Sequence, residues 1–194
     1  MSLLKAQLHL TLPIWVMDEV DATRTYPSDE DKVALAIELS RKNVDARSGG
    51  PFGAAVFGPG DRLVSVGVNR VLPQACSVAH AETMAMMLAQ QRMMRSRLNI
   101  DDATGERHGP FVLATSSQPC CQCYGATFWC GVDRLLIGAR SEDVMQLTEF
   151  DEGPLPADWV GELEQRGIAV SRDILREHAR DVLRAYGEQG GTFY

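Results

Sequence analysis

The sequence predicts an α/β fold, a three-layer α/β/α sandwich around a mixed five-stranded sheet. Three observations predict it. Short apolar stretches alternate with helical patterns along most of the chain, which builds a layered sheet. The first two stretches are joined by the turn Gly58-Pro59-Gly60-Asp61, so the sheet opens with an antiparallel hairpin. The chain has 194 residues, 45 % apolar and 23 % charged, enough to bury one sizeable core without disulfides.

The elements follow in order. Residues 1–27 read as an N-terminal extension without a clear period, ending at Tyr26-Pro27, and residues 28–194 as one domain. Ser28 and Asp31 form a capping pattern ahead of a helix that runs to about Val44. Gly49-Gly50-Pro51-Phe52-Gly53 is a sharp loop before strand Ala54–Phe57, and Leu63–Val68 is the returning strand. Arg70 to Ala79 is a loop, after which His80 opens a Met-rich helix reaching about Arg97. Leu98 to Pro110 is a polar loop, and Phe111–Ala114 a buried third strand. Pro119 precedes a short helix, Cys120 to Trp129, that stops at Gly131. Leu135–Ile137 is the fourth strand, Ser141 caps a short helix, and Asp151 to Asp158 is an irregular acidic loop. Ile168–Val170 is the fifth strand, and the last helix spans about Asp173 to Tyr186. Met84, Met86, Met87, Met93 and Met94 are adaptable apolar surface, either core or a subunit interface.

The 19 basic and 26 acidic residues give a net charge of −7, which argues against non-specific nucleic-acid binding. No stretch approaches the roughly 20 apolar residues of a membrane span, and the N-terminus lacks the pattern of an export signal. A cytoplasmic location is therefore expected, where the five cysteines stay reduced and clustered thiols serve as metal ligands or catalytic groups.

Three cysteines crowd into residues 120–123. Cys120 and Cys123, three apart, place two sulfurs on one side of a helix start, the usual spacing for thiolates that chelate zinc. By itself this pair fits a redox couple, a structural zinc half-site or a catalytic metal. His80-Ala81-Glu82 narrows the choice. Two residues apart in a helix interior, His and Glu point about 200° away from each other, so they converge only at a helix N-terminus. Two helix starts, at His80 and Cys120, then aim at one point, where their positive ends favour thiolates. His80, Cys120 and Cys123 are three zinc ligands with a fourth position open for water, and Glu82 is a carboxylate beside it.

With these residues the chain resembles the cytidine and deoxycytidylate deaminase superfamily, and within it bacterial guanine deaminases of the same fold. The resemblance runs over about residues 30–194, through Gly49 to Ala54, Asn69-Arg70, Ala79 to Glu82, Thr115 to Cys123 and Phe150-Asp151-Glu152-Gly153-Pro154. That last run and the N-terminal Leu8-His9-Leu10 with Pro13 resemble a subgroup that also accepts the triazine ammeline. Three positions depart from the pattern: Gln118 where the family has Glu, Gln122 where it has Met, and Cys121 as an extra thiol.

The resemblance implies one Zn2+ per subunit and hydrolytic deamination of a free amino-heterocycle, most simply guanine to xanthine and ammonia. It implies zinc-bound hydroxide as nucleophile, Glu82 as proton shuttle and Glu152 as a second acid near the leaving amine. Asn69 and the Ala81 N–H would bind the base, Phe52 and Trp129 would flank its ring, and Tyr194 would cap the site. It further implies a homodimer in which the C-terminal segment caps its own or, by exchange, the partner's site. Competing readings are ammeline or pyrimidine deamination, deamination of adenosine in tRNA, and a non-catalytic zinc module.

Overall fold

The computed structural model describes residue 4 and residues 6–193. Among these, eight helices and five strands follow one another as α1 Trp15–Glu19, α2 Asp29–Asp45, β1 Gly53–Gly58, β2 Arg62–Val68, α3 Val71–Gln74, α4 Ala81–Met93, β3 Val112–Ser117, α5 Cys121–Cys130, β4 Arg134–Ala139, α6 Ser141–Leu147, α7 Trp159–Glu164, β5 Ala169–Ser171 and α8 Arg176–Glu188. The sheet order is β2-β1-β3-β4-β5. β1 pairs antiparallel with β2 and β3, and β3-β4-β5 are parallel, so the sheet is mixed as expected.

Helices cover both faces, and the strand sequences show why. Ala55 and Phe57 of β1 face a core with Val33, Ile37 and Leu39 of α2 and Val182 and Leu183 of α8. Ala54 and Val56, one residue out of phase, face Ala81, Ala85 and Ala89 of α4. A strand buried on both faces has no polar alternation, hence the unbroken Gly-Ala-Ala-Val-Phe-Gly. Small residues set the spacing on the α4 side. A Cβ on Gly67 would lie 2.0 Å from the Ala81 carbonyl oxygen, so glycine lets the start of α4 touch β2. Ser65 Oγ donates to the Ala85 carbonyl at 2.6 Å beside it.

The Ser28 capping box is present: Ser28 Oγ accepts from Asp31 N at 3.0 Å, and Ser28 N donates to Asp31 Oδ2 at 3.2 Å. Within the N-terminal extension, residues 6–27 contain α1, and Val16 and Tyr26 are buried, Tyr26 against Phe57 with ring centroids 5.2 Å apart. Three expectations need correction. The Arg70–Ala79 loop contains α3, a single turn too short to carry a periodic signal. Helix α4 ends at Met93 rather than Arg97, because Met94 adopts the left-handed conformation (φ 53°) that terminates helices. At α6 the N-cap is Arg140, not Ser141, and Asp143 Oδ2 accepts the Arg140 N–H at 2.9 Å.

No helix among the described residues is long and apolar enough to cross a membrane.

Candidate active site

Both helix starts anticipated from the sequence converge. His80 is the N-cap of α4 with extended backbone (φ −71°, ψ 161°), outside the helix, while Glu82 is the second helical residue. That break in helical geometry lets two side chains only two residues apart face one point. Cys120 occupies the same position on α5 (φ −64°, ψ 174°), with Cys123 one turn on. His80 Nδ1 lies 3.4 Å from Cys120 Sγ and 3.6 Å from Cys123 Sγ. Tetrahedral zinc, with bonds of about 2.0 Å to nitrogen and 2.3 Å to sulfur, holds its donors roughly 3.5–3.8 Å apart. Both nitrogen–sulfur separations are close to that spacing, and with all three donor atoms within 4.8 Å of one another the triad suits the ion. Cys121 is exposed and outside the triad.

The two motifs are also tied together. Gln122 Nε2 donates to the Val78 carbonyl at 3.3 Å, and Thr83 Oγ1 donates to Val78 and His80 carbonyls at 2.6 and 3.0 Å. Gln122, one of the departures from the family pattern, thus stitches α5 to the approach of α4.

A cavity opens beside the triad, lined by Phe52, Asn69, Glu82, Gln118, Phe150, Asp151 and Glu152 together with His80 and Cys120. Asn69 is 1 % exposed, and its Oδ1 accepts the Val71 N–H at 3.2 Å, which leaves the Nδ2 group as donor. Phe52 meets Phe150 edge-to-face at 5.1 Å. Glu152 is held from behind, its carbonyl accepting the Cys121 N–H at 2.9 Å. Gly153 follows at φ +67°, and a Cβ there would stand 2.5 Å from Cys121 Sγ. Ala81 is wholly buried as the first residue of α4, where a backbone N–H has no acceptor within its own helix.

The electrostatics follow from burial. Desolvation, then the Cys120 charge, pushes the Glu82 carboxyl up to about 7 and Glu152 up to about 8. Cys120 is drawn down to about 4, chiefly by the Cys123 thiol donating to it, and Cys123 is pushed up in return. A divalent cation held by His80, Cys120 and Cys123 would reverse this local logic, favouring both thiolates and lowering both carboxyls.

Of the expected site residues, Phe52, Asn69, His80, Glu82, Cys120 and Glu152 line one cavity, and Cys123 completes the triad. Trp129 does not join them. It is 77 % exposed and lies in a separate apolar groove with Val78, Met86, Met87 and Ala126. Six residues beyond Cys123 on one helix is about 240° around the axis and 9 Å along it, which carries the ring away from the triad. Tyr194 lies outside the described residues. Sequence reasoning missed Gln118, Phe150 and Asp151 as cavity walls. Their signal was adjacency, since each directly precedes or neighbours a motif residue.

Residues 27–139 match the cytidine and deoxycytidylate deaminase zinc-binding region. A probable cytosine deaminase of Schizosaccharomyces pombe is 30 % identical over 163 residues, 82 % of this chain and 86 % of that protein. Among solved structures, a guanine deaminase from Nitrosomonas europaea superposes with a TM-score of 0.86 at 39 % identity, covering 96 % of this chain and all of that one. A related structure in complex with 8-azaguanine gives 0.88 at 39 % identity, over 97 % of this chain and 100 % of its own. With the matched region spanning more than half its length and the His/Cys/Cys triad in place, the chain belongs to the cytidine and deoxycytidylate deaminase family.

Proposed function

We propose that the protein hydrolyses guanine to xanthine and ammonia. The observation that carries the reading is a zinc triad flanked by two buried carboxyls, Glu82 and Glu152, in a cavity with an aromatic wall and a buried amide. Its near full-length similarity to a guanine deaminase supports the choice of base. Zinc, when bound by His80, Cys120 and Cys123, supplies Lewis acidity and an acidified water.

The chain's own groups do the rest. Phe52 stacks beside the purine, the Asn69 Nδ2 and the Ala81 N–H bind its polar edge, and burial keeps bulk water out. Glu82 takes a proton from the attacking water as its oxygen bonds to C2, and delivers that proton to N3. The second water proton passes through Glu82 or Glu152 to the 2-amino nitrogen. The C2–N bond breaks, ammonia leaves, and C2 becomes the second carbonyl of xanthine.

Ammonia release from guanine, ammeline, guanosine, cytosine and adenine tests this directly. Guanine is expected to be the best substrate, with xanthine as product. Silence on guanine from zinc-loaded protein overturns the reading. Cytosine is the informative competitor, because one relative is a probable cytosine deaminase.

We further propose a homodimer that covers the apolar groove around Trp129. The exposed Trp129, beside Met87 and Val78, is a large anchor of the kind that dominates interfaces. Trp129→Glu should weaken self-association at least about tenfold by light scattering. A monomeric wild-type protein contradicts the proposal.

A further inference from the structure

The N-terminal extension bonds to one wall of the cavity from two sides. Trp15 Nε1 donates to Ser48 Oγ at 3.0 Å, and that hydroxyl donates to Asn43 Oδ1 at 2.8 Å. The fully buried Asn43 then donates from Nδ2 to the Gly50 carbonyl at 2.8 Å and the Asn69 carbonyl at 3.0 Å. From the other side, Arg70 Nε donates to the Thr11 carbonyl at 3.1 Å, and Arg70 Nη1 donates to the Ser48 carbonyl. Arg70 is 9 % exposed and, among the described residues, forms no ion pair. A buried guanidinium satisfied by main-chain carbonyls fixes the course of the backbone, because its fork of donors is rigid.

Both routes end on the same two residues. The Asn69 N–H donates to the Phe52 carbonyl at 3.1 Å, so the two base-facing residues share a main-chain bond. On one side of Phe52 the chain is held at Ser48 and Gly50; on the other, Asn69 and Arg70 are held directly. The turn has no slack, since a Cβ on Gly49 would meet the Asn69 carbonyl oxygen at 1.9 Å. Buried Pro13 and Val16 anchor the extension itself.

We propose that residues 11–16 are a strap that positions the Phe52–Asn69 wall for the base, with Trp15 and Arg70 as positioning residues. It rests on the deaminase reading for its substrate, but not on which base is preferred. The strap holds a binding wall and not the proton-transfer groups, so its loss should weaken binding and spare the chemistry.

The test uses the full, zinc-loaded chain with Trp15→Phe, which keeps an aromatic side chain but loses the five-membered ring and its N–H, alongside Arg70→Met and Arg70→Lys. Trp15→Phe should raise KM for guanine about 3- to 10-fold, the loss of one half-buried hydrogen bond, with kcat changed less than about twofold. Arg70→Met should raise KM further and Arg70→Lys should recover part of it. Hydrogen exchange should quicken in residues 48–53 and 69–70 and stay unchanged in α5. An unchanged KM overturns the proposal, even if exchange quickens, as does a fall in kcat equal to the rise in KM. Should Arg70→Met fail to fold, Trp15→Phe decides alone. A wild-type chain inert on guanine refutes the guanine reading, not the strap, which is then read by exchange and by KM for the base it accepts.

Discussion

Glu82→Gln is expected to cut ammonia release about 10³-fold or more while the protein keeps its zinc. Glutamine has nearly the shape of glutamate, and position 82 is not among the three donors of the triad. What the variant loses is the ability to accept a proton. At 6 % exposure, little bulk water reaches the site to substitute for it. Metal analysis together with a steady-state ammonia assay checks both halves. A variant with normal zinc and a rate within tenfold of wild type refutes the shuttle role. A variant that loses zinc makes Glu82 a structural support of the triad instead.

The largest expected effect on stability lies elsewhere, at Asp143. This carboxylate is 1 % exposed and accepts from Arg176 Nε and Nη2 at 2.7 and 2.8 Å, from Arg180, and from the Arg140 N–H at the start of α6. Burial alone would push it up, but the Arg176 bonds, the Arg140 N–H and the two guanidinium charges outweigh this and hold it at about 2. Asp143→Asn leaves two cations against a neutral amide and should cost about 3 kcal/mol, the lower range for breaking a buried pair. For a chain of this length that lowers Tm by roughly 6–12 °C. The sign with pH follows from the lowered value. The carboxylate contributes fully above its unfolded value of 3.8, and the contribution is lost as pH falls through about 2. The gap between wild type and variant should therefore be constant at neutral pH and close below pH 4. Thermal melts from pH 7 to pH 3 measure it; a gap that persists unchanged at pH 3 rules out the charge as its origin.

The zinc site was legible because metal chelation constrains residues locally. Two sulfurs three apart and a His-x-Glu at a helix start carry their geometry in their spacing. Once a break before α4 was required, the extended backbone at His80 followed. The hairpin was legible for the same reason, since Gly58 to Asp61 can do little but turn. Trp129 shows where local reasoning ends: its place depends on the rotation of α5, and an exposed aromatic near a motif has the same sequence signature as a buried one. Asp143 was invisible because its partners lie 33 and 37 residues away on α8, and long-range charge pairs leave no period. The strap escaped for a related reason. Its contacts run through main-chain carbonyls of Thr11, Ser48 and Asn69, groups that every residue carries. The wall residues Phe150 and Asp151 belong to the Phe150–Pro154 run, but nothing in their identity distinguishes lining a cavity from framing a turn.

The strand that separates the two ligand motifs has a consequence for how the molecule folds. Between His80 and Cys120 the chain makes β3, which must insert between β1 and β4 before α5 can present its thiols. The triad therefore exists only after a contact spanning from residue 54 to residue 115 has formed. Such long loops close slowly, and non-local pairing sets the rate. A fragment carrying all three donors but lacking β1 would leave β3 with an unsatisfied edge and no reason to hold its two helices side by side. High-affinity chelation is thus a late event, and its appearance in a refolding experiment should mark closure of the central sheet.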